Sequence, residues 1–174
     1  CIGDNTKSQI GSNSQTIYDH LTKISLPCYE NRKFKMALCG KNYTVYLTEE
    51  TEHNKEEILL CCNKNPTQNP IRINIGENKV KLIKNGKTRI GIVDSKNNLF
   101  LVEKKDIEVI HDAVEAQLID HPLLTGIRDI CICETFICVL SSNGILYGNG
   151  EINKNRKNFT QIAFPQGKKI QKIR

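Results

Sequence analysis

With 174 residues, 39% of them hydrophobic, the chain has enough apolar side chain for a packed core, which excludes a disordered segment. Aromatic residues are scarce at 6%, Trp is absent, and 25 basic residues against 19 acidic ones leave a net charge of +6. No run approaches the ~20 apolar residues of a membrane-spanning helix and no secretory leader pattern opens the chain, which begins at Cys1 and so reads as processed or as a piece of a longer sequence.

The apolar residues are mostly Ile, Leu and Val, which suit strands. The chain opens on a glycine- and amide-rich segment, Gly3-Asp4-Asn5-Thr6-Lys7-Ser8-Gln9-Ile10-Gly11, followed by a strand-like segment ending in proline, Leu21-Thr22-Lys23-Ile24-Ser25-Leu26-Pro27. Three segments then share one pattern and align without gaps: Phe34–Leu47, Val80–Val93 and Ile127–Leu140. Their last residues, Leu47, Val93 and Leu140, stand 46 and 47 positions apart. A fixed period of this length is the mark of a repeat architecture.

Each copy has the same grammar. A short apolar strand runs into a glycine, Gly40 or Gly86, with Cys133 in the third copy, and a second strand follows. Next comes a polar turn, Asp94-Ser95-Lys96-Asn97-Asn98 or Ser141-Ser142-Asn143-Gly144, whose Asn97-Asn98 and Asn143-Gly144 supply the positive φ of a tight hairpin. A third strand closes the unit at Leu99-Phe100-Leu101-Val102 or Ile145-Leu146-Tyr147. In the first copy the acidic stretch Glu49–Glu57 lengthens the hairpin. A fourth copy starts at Ile170-Gln171-Lys172-Ile173. Short strands at such a period predict an all-β propeller whose blades stack because none buries its faces alone. The expected blades are residues 33–78, 79–126 and 127–167, with residues 1–32 ending a preceding blade and 168–174 starting the next. The best helical spacing, Ile107, Ile110, Val114 and Leu118, predicts at most a helical turn within a blade.

Candidate chemistry is sparse. His20, His53, His111 and His121 read as loop residues, and Asp106, Glu108, Asp112 and Glu115 around His111 as a solvated acidic patch. Gly148-Asn149-Gly150 lacks the strand–loop–helix setting and the Lys-Ser/Thr of a phosphate loop. Cys1, Cys28, Cys39, Cys61, Cys62, Cys131, Cys133 and Cys138 have no zinc-ligand spacing and are expected as reduced, buried apolar residues in strands. The sequons Asn42-Tyr43-Thr44 and Asn158-Phe159-Thr160 matter only on a secreted chain. The expectation is therefore no catalytic, cofactor or metal site. Charge is more informative: Lys154, Arg156, Lys157, Lys168, Lys169, Lys172 and Arg174 against Glu151 account for the whole net excess, and Lys79, Lys81, Lys84, Lys87 and Arg89 form a second basic run. Both read either as ordinary solubilising charge or as candidate surfaces for acidic partners (nucleic acid, an anionic membrane face or an acidic protein), without the aromatic interleaving that stacks single strands.

The sequence resembles the regulator-of-chromosome-condensation repeat family. Gly3, Asn5, Gln9 and Gly11 fit its Gly-x-Asn-x-x-Gly-Gln-Leu-Gly pattern, with Ser8 for Gly and Ile10 for Leu. Cys39–Leu47 is similar to its Cys-Gly-x-x-His-Thr strand, with Tyr43 at the His position, and Asn158–Pro165 repeats the Pro-containing strand of Leu21–Pro27. The usual Trp-Gly survives only as Tyr147-Gly148. The resemblance implies a seven-bladed propeller of which this chain supplies less than half. It gives Gly3, Asn5, Gln9, Gly11, Gly40, Gly86, Gly144 and Gly148 scaffold roles. It implies a cytoplasmic or nuclear interaction module, joined in some proteins to ubiquitin-ligase or signalling domains. Guanine-nucleotide exchange on a Ran-like small GTPase and chromatin contact through a basic face are the alternatives it carries.

Overall fold

Runs of β-branched and aliphatic residues too short for helices, many of them ended by Gly, Asn, Asp or Ser, give strands of two to six residues. The computed structural model describes residues 3–6, 9–11, 17–24, 26–62, 69–103, 105, 113–150, 158–163 and 170–173. The strands are β1 (Gly3–Asp4), β2 (Ile17–Tyr18), β3 (Phe34–Cys39), β4 (Tyr43–Thr48), β5 (Ile58–Cys62), β6 (Ile71–Asn74), β7 (Val80–Asn85) and β8 (Ile90–Asp94). They continue with β9 (Leu99–Val102), β10 (Ala113–Glu115), β11 (Gln117–Ile119), β12 (Ile127–Ile132), β13 (Phe136–Ser141), β14 (Leu146–Gly150) and β15 (Thr160–Ile162). The fold is all-β, as the repeat predicts.

The chain divides into two compact units. One, Cys1–Asn74 with Glu103–Ala116, holds the β1–β2 pair and a five-stranded sheet of order β10-β6-β5-β4-β3. Its two central strands, β4 and β5, are almost wholly buried. Leu26, Tyr29 and Leu59 form a core there, with Ile24 and Tyr46 against it.

The other unit, Ile75–Val102 with Gln117–Arg174, holds two four-stranded sheets, β11-β9-β8-β7 and β12-β13-β14-β15. β12 alternates between two cores, as pleating dictates. Ile130 and Ile132 join Val93, Leu99 and Leu101 of the second sheet. Cys131, from the opposite face, packs with Cys138, Leu140 and Leu146, and Ile170 and Ile173 cover the same cluster. The seam between the two sheets requires glycine on the second. A Cβ on Gly86 would lie 2.6 Å from the Ile132 carbonyl oxygen, and one on Gly91 only 2.5 Å from Ile132 Cδ1.

The three large sheets share their hydrogen-bond details at repeat-equivalent positions. The first two strands slip by one residue between Phe34 and Met36, Val80 and Leu82, and Ile127 and Asp129. The turn between them closes through Gly40 N to Tyr43 O (2.8 Å), Gly86 N to Arg89 O (2.8 Å) and Cys133 N to Phe136 O (2.9 Å). Leu47, Val93 and Leu140 are all buried, and each is followed by a buried polar residue: Thr48, Asp94 and Ser141. These three close the next hairpin. Thr48 Oγ1 accepts from Glu57 N at 2.9 Å, and Ser141 Oγ from Ile145 N at 3.1 Å. Asp94 Oδ1 accepts from Lys96 N (2.9 Å) and Asn98 N (2.8 Å), while its Oδ2 takes the side-chain amides of Asn78 and Asn98, both at 2.8 Å. The positive φ in these turns falls on Asn97 (68°) and Gly144 (81°).

One expectation is corrected. The helical spacing through Leu118 ends in strands: Ala113–Glu115 runs parallel to β6, and Gln117–Ile119 pairs antiparallel with β9. Backbone pairing offered by the edges of two existing sheets outweighs a one-sided apolar spacing. Residues 107–112 of that segment lie outside the described residues. Ala113–Glu115 therefore belongs to the first sheet, although its sequence position falls in the span expected for the second blade.

Replacing the fully buried Asp94 by Ala removes the acceptor of two backbone N–H groups and two amide side chains in a half-buried turn. We expect a loss of about 3 kcal/mol in unfolding free energy, measured by denaturant titration. A midpoint unchanged from the wild type would refute the turn-locking role.

Candidate functional site

Among the described residues, a single short turn helps to build a polar cleft. Pro27–Tyr29 forms one turn of 3-10 helix, held by Tyr29 N to Leu26 O at 2.7 Å and extended by Arg32 N to Tyr29 O at 3.0 Å. It carries Tyr29 and Arg32 to the β4–β5 hairpin and to Arg72 of β6. Arg32 Nη1 lies 3.3 Å from Glu57 Oε2, and its Nη2 donates to Thr48 Oγ1 at 2.8 Å and to the Lys55 carbonyl. Arg72 Nε lies 3.0 Å from Glu57 Oε1 and 3.5 Å from the Tyr29 hydroxyl. Glu57 is thus clamped between two guanidinium groups. The cleft has a volume of about 510 Å³ and is lined by Cys28, Tyr29, Glu30, Asn31, Arg32, Asn54, Glu57 and Arg72.

The two arginines differ in role. Arg32 has an 11% exposed side chain and is spent on Glu57, Thr48 and Lys55. Arg72 is 61% exposed and, among the described residues, is held through Nε. A guanidinium engaged at Nε keeps Nη1 and Nη2 as donors, a pair that can take a carboxylate or phosphate in two parallel bonds.

The acidic hairpin Glu49–Glu57 is partly consumed internally. Glu57 serves the arginines and Glu56 pairs with Lys35, while Thr51 and Asn54 bridge its tip. Three lysines of the second basic run, Lys81, Lys84 and Lys87, make contacts within the chain while Lys79, Lys81 and Lys87 stay exposed. Lys81 Nζ donates to the Ile127 carbonyl at 2.6 Å and to Asn97, Lys84 Nζ is 3.9 Å from Asp129 and Lys87 Nζ is 2.9 Å from Glu134. These contacts bind β7 and its turn to the third sheet. Lys172 is exposed, whereas Lys154, Arg156, Lys157, Lys168 and Lys169 lie outside the described residues.

The remaining expected positions are structural or peripheral. Gly3 lies in β1. Asn5 is buried and its Oδ1 accepts from Ile10 N at 3.2 Å. Gln9 is half-buried. Gly11 abuts Cys61 and Leu26, Gly40 the Tyr43 ring, and Gly148 of β14 the Ile162 side chain. His20 contacts Asp19 at the surface, and the His121 ring stands 5.7 Å from Phe159. Glu115 accepts from Asn74 Nδ2 at 2.6 Å, and His111, Asp106, Glu108 and Asp112 fall outside the described residues. Among the described residues no three His, Cys, Asp or Glu side chains are grouped to hold a metal.

Not every cysteine is a buried strand residue. Cys61, Cys62 and Cys138 are buried, but Cys28, in the turn, and Cys39 are exposed. Burial, and then the neighbouring Cys62, push the Cys61 thiol up to about 12.

No family model and no curated protein matches the sequence. Solved structures do match. Human WBSCR16 shares 13% identity at a TM-score of 0.67, over 94% of this chain and 48% of that one. Prp20p of Saccharomyces cerevisiae shares 19% at 0.58, over 80% and 35%, and yeast RCC1 (Prp20) crystallised with Kap60 shares 18% at 0.55, over 80% and 34%. The chain spans about half of the first structure's length and a third of the others'. The likeness is one of fold.

Alkylation should rank the thiols by this geometry, with Cys28 and Cys39 labelled quickly in the native protein and Cys61 only on unfolding. Since folding raises the Cys61 pKa from 9.0 to about 12, its stabilising contribution is complete below pH 9 and is lost as pH climbs from 9 towards 12. Melting midpoints measured across that range check the sign; a Cys61→Ala variant should show a shallower decline.

Proposed function

Because the chain has the fold of a partial β-propeller of the regulator-of-chromosome-condensation type, we propose that it acts as a protein-interaction scaffold within a larger protein of the cytoplasm or nucleus. The observation that carries this reading is the Glu57-anchored Arg72, fixed at one edge and open at the other in a polar cleft. Fold alone does not assign function, and the site has the makings of recognition: an arginine set on β6 in a cleft lined mainly by polar residues. The scaffold reading is also supported by its structural neighbours. Prp20p is described with its binding to Gsp1p and histones, and yeast RCC1 (Prp20) was crystallised bound to Kap60.

The binding of Prp20p to Gsp1p favours a second reading, guanine-nucleotide exchange on a Ran-like GTPase. Its binding to histones, together with the basic residues from Lys154 to Arg174, favours chromatin contact as a third.

Charge reversal at Arg72 should abolish binding of the partner while leaving the fold intact, since Arg72 is 61% exposed and Arg32 still holds Glu57 when the Arg72 contacts with Glu57 and Tyr29 are lost. Quantitative affinity capture with wild type, Arg72→Glu and Lys172→Glu checks this. The scaffold reading through this cleft is overturned if Arg72→Glu retains every partner that the wild type holds. Nucleotide release from a Ran-like GTPase at the intrinsic rate would remove the exchange reading.

A further inference from the structure

We propose that Cys131 and Cys133 form a reversible dithiol–disulfide switch that loosens the seam between the second and third sheets when oxidised. The two Sγ atoms lie 3.9 Å apart at the end of β12, on one face of the strand, and both residues are half-exposed. The blade does not need this pair. The equivalent positions carry Leu38 and Gly40 in the first repeat and Lys84 and Gly86 in the second. A third thiol, Cys138, faces Cys131 across the β12–β13 register and is buried, so it is the slower partner.

The mechanical consequence follows from strand geometry. Two residues apart in an extended strand, Cα atoms are separated by roughly 6.8 Å, the upper end of what a disulfide spans, and the sulfurs must close to about 2.05 Å. Bridging Cys131 and Cys133 therefore puckers the backbone at Ile132. That residue has no slack: its carbonyl and side chain are the groups that a Cβ on Gly86 or Gly91 would strike, and its side chain is buried in the seam. A shift at Ile132 disturbs the contact with the second sheet. The bond is strained, hence labile and readily reduced.

The chemistry balances with a peroxide as oxidant. One thiolate attacks hydrogen peroxide, forming a sulfenic acid and releasing hydroxide, which is protonated to water. The second thiol displaces the sulfenic oxygen as water, leaving the S–S bond. Two thiols and one peroxide thus give one disulfide and two waters; a small-molecule thiol returns the pair to the reduced state. Burial, and then the adjacent Cys131, hold the Cys133 thiol up at about 11, so it answers sustained rather than brief oxidation.

The test uses the whole chain, treated with hydrogen peroxide, alkylated and digested with trypsin. One peptide, residues 129–154, carries all three cysteines. Oxidation should remove the mass of two hydrogens from it, with fragmentation placing the link between Cys131 and Cys133, and should lower the melting midpoint by several degrees until a thiol is added back. Cys138→Ser should keep both effects. Cys133→Gly, which restores the residue of the other two repeats, should lose both. A link to Cys138, an unlinked peptide while Cys28 and Cys39 oxidise, or an oxidised midpoint equal to the reduced one would each overturn the switch.

Discussion

Strands buried on both faces cannot set their own register. Where one face is wet, a slip of one residue exposes the apolar set and is penalised; where both faces are dry, the slipped strand is as apolar as the native one. β5, β8 and β9 are of this second kind, and β4 is nearly so. Here the register is fixed by polar atoms in the turns. Thr48, Asp94 and Ser141 each sit at the dry end of a second strand and hold the backbone of the hairpin that follows. Buried as they are, they have no water to fall back on, so any other register leaves them unpaired.

The cleft is an extension of this constraint. Arg32 rests on Thr48, the lock of the first sheet, and Glu57, which positions Arg72, is the residue whose backbone N–H that lock holds. The exposed guanidinium is therefore referenced to the register of β4 and β5 through two intermediates. On the interaction reading proposed above, a guanidinium set on a strand in this way loses little freedom on binding, which favours affinity for a partner of matching charge.

The architecture was legible because its grammar is local and repeated. Gly40 and Gly86, the Asn97 and Gly144 turns, and the buried Leu47, Val93 and Leu140 all recur within short windows. The cleft was not legible: Tyr29, Arg32, Glu57 and Arg72 come from separate elements and form no motif in sequence. The Lys87–Glu134 pair was within reach, for the two match in the gapless alignment and the second and third sheets pack together. The Ala113–Ile119 strands were missed because three-residue strands are too short for alternation to compete with a helical spacing four residues apart.

That last segment bears on how the protein comes to be made. β10 lays a parallel fifth strand beside β6, yet the chain first leaves to form β7, β8 and β9 before it returns. On a ribosome, the first sheet must wait with an open edge at β6 while the next sheet's strands emerge. Parallel pairing closed over so long an excursion forms late, and until then the edge at β6 is a template for a stray strand. The order of synthesis thus makes the assembly of this sheet the vulnerable interval for a chaperone to guard.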